Sequence, residues 1–162
     1  MYQPYPGSDT QLPQTQRPPA PASVRTAVRA MYAGAAASLL GIVVDILTVG
    51  ATKTAIARKS PHLTASQVTS TQHVLIAGFI AGGVIAAVVW IVLARSCQAG
   101  RGWARITGTV LFALATVDTF AGLTAPIAAL ARIWALVVWL AGLTAVVFLW
   151  RRASSAFFRP RA

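Results

Sequence analysis

Four long apolar blocks constrain the fold of this chain more than any other feature of its sequence. They cover residues 27–50, 72–94, 104–124 and 127–149. The hydrocarbon core of a bilayer is about 30 Å thick and takes about 20 helical residues at 1.5 Å each, so every block is long enough to cross it. Charged residues make up 10% of the chain, against about 25% in soluble domains. The sequence therefore predicts an all-α integral membrane protein with four transmembrane helices in an antiparallel bundle.

The basic residues predict the orientation of that bundle. If the N-terminus is cytoplasmic, ten of the 14 Lys and Arg residues fall on the cytoplasmic side and four on the outer side. This asymmetry follows the positive-inside rule, so we expect both termini to face the cytoplasm from an inner (plasma) membrane. The net charge of +11 then indicates anionic lipid headgroups as partners and not nucleic acid. The cytoplasmic group consists of Arg17, Arg25, Arg29, Arg95, Arg101, Arg105, Arg151, Arg152, Arg159 and Arg161, and the outer group of Lys53, Arg58, Lys59 and Arg132.

The two ends of the chain differ in composition from the predicted transmembrane domain, residues 25–150. Residues 1–24 hold six of the nine prolines and show no apolar periodicity, which predicts a disordered cytoplasmic tail rich in Pro and Gln. Its run RPPAP is either a polyproline docking segment or part of a passive tether. The first span is too long for a cleavable signal, so we expect it to be retained as a signal anchor. Residues 151–162 are predicted to be a basic cytoplasmic tail.

The segment between the first two spans, residues 51–72, is predicted to be the longest loop. Within it, Thr64 to Gln67 read TASQ, which fits a helix N-terminal capping box. The second helix is therefore expected to begin near Ala65, outside the membrane, and to enter the membrane near His73. Further along this helix, Gly78 and Gly82 form a G-x-x-x-G motif. Small residues at this spacing let helices approach closely in lipid, so these two glycines are predicted to form a helix contact.

Two of the three acidic residues, Asp45 and Asp118, fall inside predicted spans. A charge at bilayer depth costs at least about 2.5 kcal/mol, so each acid needs a partner, a water pocket or a proton. Asp118 lies seven residues before Ala125, at the turn between spans three and four, and Arg132 lies seven residues after it. In an antiparallel hairpin these positions have equal height, which predicts an ion pair between Asp118 and Arg132. The alternative is that Arg132 extends to the headgroups.

We combine these groups into one hypothetical site. Asp45 shares a helix face with Gly41 and Thr48, and His73 is expected at the outer mouth of span two. An intramembrane polar cluster of Asp45, His73, Asp118 and Arg132 is the resulting prediction.

Three stretches resemble a known group of proteins. They are RGWARITGTVLFALATVDTF (101–120), VVWLAGLTAVVFLWRRASSAFFRP (137–160) and VRTAVRAMYAGAAASLLGIV (24–43). Together they resemble small four-span integral membrane proteins of actinobacteria that have no established activity. The resemblance implies a plasma-membrane location and the same architecture, and it supplies no catalytic residues.

The remaining motifs bear on the class of function. Cys97 is the single cysteine, which excludes an intramolecular disulfide. The sequence has no His or Cys cluster at metal-ligand spacing, no nucleophile elbow and no phosphate-binding Gly-rich loop, so we expect no enzyme activity, cofactor or metal. The leading interpretation is a non-catalytic structural or accessory membrane component, with an unknown membrane-protein partner or a second copy of itself. The alternative is a small proton-coupled or ion-conducting transporter that uses Asp45 and Asp118.

Overall fold

The computed structural model describes residues 20–158, and this part of the chain forms six helices. They are α1 (Ala22–Leu47), α2 (Val49–Lys59), α3 (Ala65–Gln98), α4 (Gly102–Gly122), α5 (Ala129–Leu149) and α6 (Arg152–Phe157). Four of them, α1, α3, α4 and α5, are long and apolar enough to cross a membrane. The prediction of a four-span, all-helical membrane protein is thereby confirmed. Most of the predicted N-terminal tail lies outside the described residues, as do Arg17, Arg159 and Arg161.

The four spans form a bundle in which each helix has two main neighbours. Helix α1 packs against α3 and α5, and α4 packs against α5 and, less extensively, against α3. Within the described residues, the backbones of α1 and α4 do not approach each other closely. The order around the bundle is therefore α1, α3, α4 and α5, with adjacent helices antiparallel, as predicted.

The best-packed part of the bundle lies at the end where α1 begins and α5 ends. Small and medium side chains from all four spans meet here, which lets the helices approach closely. Ser154 of α6 covers this end: its Oγ donates to Phe148 O at 2.8 Å and lies 2.8 Å from Ser23 Oγ. The buried cluster comprises Val24, Ala27, Val28, Met31, Leu93, Ala94, Cys97, Ala104, Ala145 and Leu149.

Glycines accommodate large side chains of neighbouring helices at four positions. A methyl group built on Gly83 would lie 2.8 Å from Ile42 Cγ1, and one built on Gly142 would lie 2.7 Å from Phe112 Cδ2. In the same way, the indole of Trp90 packs against Gly34, and the indole of Trp134 packs against Gly41. The Nε1 of Trp134 also donates to Ala37 O at 2.8 Å, which joins α5 to the middle of α1.

The predicted contact face of Gly78 and Gly82 meets no helix of the described chain. Both glycines are exposed, and nothing lies within 4 Å of a methyl group built on either one. The reason is rotational: successive helical residues are about 100° apart, so Gly83 faces α1 while Gly82 faces outward.

The prediction of one long loop over residues 51–72 is wrong in part, because residues 49–59 form helix α2. Its buried residues are Thr52 and Ile56, four positions apart, while Lys53 is exposed. Gln72 of α3 supports the helix, since its Nε2 donates to Val49 O at 3.2 Å. This buried face is too short and too polar to produce an apolar signal in the sequence.

The start of α3 follows the prediction. Thr64 is the N-cap, and both hydrogen bonds of the capping box with Gln67 are present. The helix runs for 34 residues from Ala65, which exceeds the roughly 20 residues that a bilayer core requires. Helix α3 also packs against α2, where Gln72 lies near the start of α3.

Candidate functional site

An apolar cavity lies between α3, α4 and α5 within the transmembrane bundle. Its volume is about 290 Å³, near the lower end of the roughly 300–1,000 Å³ that is typical of small-molecule sites. Aliphatic and aromatic side chains form most of its wall, and Met31 of α1 also contributes. The residues that matter most below are Trp90, Leu93, Phe112, Asp118, Trp139 and Gly142.

Asp118 is the single acid that lines this cavity among the described residues. Gly108, Leu111, Ala115 and Asp118 line it from α4 at a 3, 4, 3 spacing, which places them on one helix face. Ten residues separate Gly108 from Asp118, or about 15 Å along the helix. Asp118 therefore lies at one end of an elongated apolar space. Because Asp118 is an exposed residue, the cavity is open at this end to the surface of the bundle.

The aromatic wall of the cavity is held in a fixed geometry by α4. Trp139 Nε1 donates to Thr116 Oγ1 at 3.0 Å. The Trp139 ring lies between two phenylalanines, with centroid distances of 5.9 Å to Phe112 and 5.7 Å to Phe120. Such contacts fix the orientation of a large side chain, so this face of the cavity is preorganised.

The predicted ion pair between Asp118 and Arg132 is absent from the described residues. Arg132 instead donates from Nη2 to Ala125 O at 3.1 Å, and Lys59 Nζ donates to Thr124 O. Thr124 and Ala125 lie beyond the last residue of α4, so both acceptors are carbonyl groups of the loop. The guanidinium of Arg132, which we expected to pair with Asp118, is therefore bound to the loop that follows α4.

Arg132 lines a second, more open cleft of about 730 Å³, at the end of the bundle where α4 is connected to α5. Helix α2 contributes Arg58 and Lys59 to this cleft, and residues 124–129 form its other wall. Lys59 and Arg132 each donate to a loop carbonyl. Both side chains therefore stabilise the connection between α4 and α5.

The other two members of the predicted polar cluster lie elsewhere. Asp45 is half-buried on α1, two residues before that helix ends, and His73 is exposed on α3. Within residues 20–158, no hydrogen bond or ion pair joins any two of Asp45, His73, Asp118 and Arg132. The same part of the chain has no group of three or more His, Cys, Asp or Glu side chains that could hold a metal ion. The structure thus separates Asp118, which lines the cavity, from Arg132, which lines the cleft.

The sequence analysis did not identify Trp90 and Phe112 as residues that line the cavity. Their identity alone does not tell whether an aromatic ring in a span faces lipid or another helix. The available signal was Gly142, because a glycine inside a span often marks a close contact with a neighbouring helix.

No protein family model, no curated protein and no solved structure matches this chain.

Proposed function

We propose that this multi-pass protein is a non-catalytic structural or accessory component of the plasma membrane, and that it packs against a further transmembrane helix. The observation that carries the proposal is the open face at Gly78 and Gly82. In lipid, helices associate through small residues that allow close backbone approach, and this pair has no partner in the described chain.

The rest of α3 supports the same role. Its large exposed side chains, including Val74, Val84 and Ile85, suit contact with lipid or with another apolar helix. The resemblance of residues 24–43, 101–120 and 137–160 to small four-span actinobacterial membrane proteins agrees with a plasma-membrane location. The partner is either another membrane protein or a second copy of the chain.

The test compares glycine variants of the full-length protein purified from native membranes in a mild detergent. Gly82→Leu should release the partner or the second copy, because a leucine side chain prevents close helix approach at that point. Gly122→Leu is the matched control, since nothing lies within 4 Å of a methyl group there either. A complex that survives the double change Gly78→Leu and Gly82→Leu would contradict the proposal.

The proposed orientation, with both termini cytoplasmic, rests on the ten-to-four distribution of Lys and Arg. Variants with one cysteine added at Ser8 or Ser66, beside the native Cys97, test it by labelling intact cells with a membrane-impermeant maleimide. Cys97 is fully buried, so the native thiol should stay silent in this assay. Label at position 66 and none at position 8 is the expected result, and the reverse pattern would overturn the orientation.

A transporter is the second candidate function, favoured by one observation: Asp118 lines a cavity at membrane depth. Proton-coupled transport would alternate such an acid between its protonated and ionised forms. In reconstituted vesicles, a pH-dependent flux that is abolished by Asp118→Asn would establish this function. Absence of flux in the wild type would leave the accessory role as the better account.

A further inference from the structure

The geometry points to a ligand for the cavity: a small lipophilic ammonium ion, bound with its charge against Asp118 and its apolar part along α4. This inference does not rest on the proposed accessory role, because it concerns a different face of the bundle.

The first argument is charge. An acid at bilayer depth needs a counter-ion, water or a proton, and no Lys, Arg or His among residues 20–158 forms an ion pair with Asp118. Arg132 is bound to Ala125 O. At the opposite end of α4, Arg105 stacks on the Trp150 ring at 3.8 Å and donates to Ser155 Oγ at 3.0 Å. A cationic ligand would supply the counter-ion that the described part of the chain does not provide.

The second argument is the shape and chemistry of the wall. About 15 Å of apolar surface extends along α4 from Asp118, which suits one short alkyl or aryl group. Trp90, Phe112 and Trp139 line the same space. Aromatic faces attract ammonium ions, and more strongly where water is excluded. The site therefore combines one carboxylate with a cation-compatible wall.

The third argument is access. Asp118 and Ala115 are both exposed on the surface of the bundle, so a ligand dissolved in the bilayer can enter laterally between helices. The modest contact between α3 and α4 leaves that entrance open. The volume of about 290 Å³ favours a single-chain amphiphile over a two-chain phospholipid.

The test measures equilibrium binding of radiolabelled decyltrimethylammonium to the full-length protein in phosphatidylcholine nanodiscs, with empty nanodiscs subtracted for lipid partitioning. We expect saturable binding that Asp118→Asn weakens by about tenfold or more, equivalent to about 1.4 kcal/mol. Asp118→Glu should retain binding, since it keeps the charge. Asp45→Asn is the matched control: it removes the other acid of the spans, which does not line the cavity, and should bind as the wild type does.

A second variant separates loss of the site from loss of charge. Ala115→Phe fills the middle of the cavity and keeps Asp118, so it should also abolish binding. Thermal unfolding of each variant reports whether the bundle is intact. The proposal is overturned if Asp118→Asn binds the probe as well as the wild type does, if decanol competes as effectively as unlabelled decyltrimethylammonium, or if the wild type shows no saturable binding.

Discussion

Two adjacent glycines of α3 offer a sharp test of how this bundle is packed. Gly82 and Gly83 are in the same helix, yet a methyl group on Gly82 would meet nothing within 4 Å. On Gly83 it would lie 2.8 Å from Ile42 Cγ1, 3.1 Å from Ile42 Cδ1 and 3.2 Å from the backbone oxygen of Ser38. The change of each glycine to alanine is therefore the same chemical change in two different environments.

The expected magnitudes follow from two effects. Replacing glycine by alanine in a helix gains up to about 1 kcal/mol at both positions, because alanine loses less backbone entropy. Gly83→Ala alone also overpacks the α1–α3 contact, which costs about 1–3 kcal/mol. Ile42 is stiff about its first side-chain torsion and Ser38 O belongs to the backbone, so neither can yield easily. The free energy of unfolding of Gly83→Ala should thus fall about 1–3 kcal/mol below that of Gly82→Ala.

The assay is reversible unfolding of the full-length protein in mixed micelles with increasing sodium dodecyl sulfate, followed by far-UV circular dichroism. Low protein concentration keeps association through Gly82 from contributing. Gly82→Ala should be as stable as the wild type or slightly more stable. If the two variants unfold at the same detergent fraction, Gly83 does not pack against Ile42, and the α1–α3 interface described above is incorrect.

Three further predictions concern individual contacts. Trp134→Phe removes the hydrogen bond to Ala37 O and should lower the free energy of unfolding by about 0.5–1.5 kcal/mol in the same titration; an unchanged midpoint would contradict that bond. Gln72→Ala removes the bond to Val49 O, so amide hydrogens of α2 should exchange faster, as measured by mass spectrometry, while those of α5 are unaffected. Equal acceleration in both helices would instead indicate global destabilisation. Cys97 is fully buried and should react with maleimide only after denaturation; rapid labelling of the folded protein would contradict its burial.

The sequence predicted the architecture because long apolar blocks and the bilayer thickness together leave few alternatives. The start of α3 was equally predictable, since the capping box at Thr64 and Gln67 acts through local hydrogen bonds. Helix α2 was not predictable in this way, because its buried face consists of Thr52 and Ile56 and depends on contact with α3.

The candidate site was only partly predictable. Asp118 was identified because it is an acid within a long apolar block, which the sequence shows directly. Its predicted partner was wrong, because equal distance from a turn sets the height of Arg132 but not the direction of its side chain. The carbonyl of Ala125 competes for the same guanidinium, and a sequence pattern does not show which acceptor is nearer. Which aromatic side chains line the cavity depends on how each helix is rotated about its axis. The sequence does not determine that rotation, because alanine is abundant in these spans.

The contact between α1 and α5 has a consequence for biogenesis. Trp134 and Ala37, which form one of its hydrogen bonds, are 97 residues apart. At a synthesis rate of about 5–20 residues per second, Trp134 leaves the ribosome about 5–20 s after Ala37 does. During that interval the face of α1 around Gly41 is without its final neighbour, so the first span must wait in the membrane or beside the insertion machinery until the last one arrives. Completion of the bundle is therefore tied to the synthesis of α5, and a ribosome that stops before α5 would release a chain whose first helix lacks one of its two main neighbours.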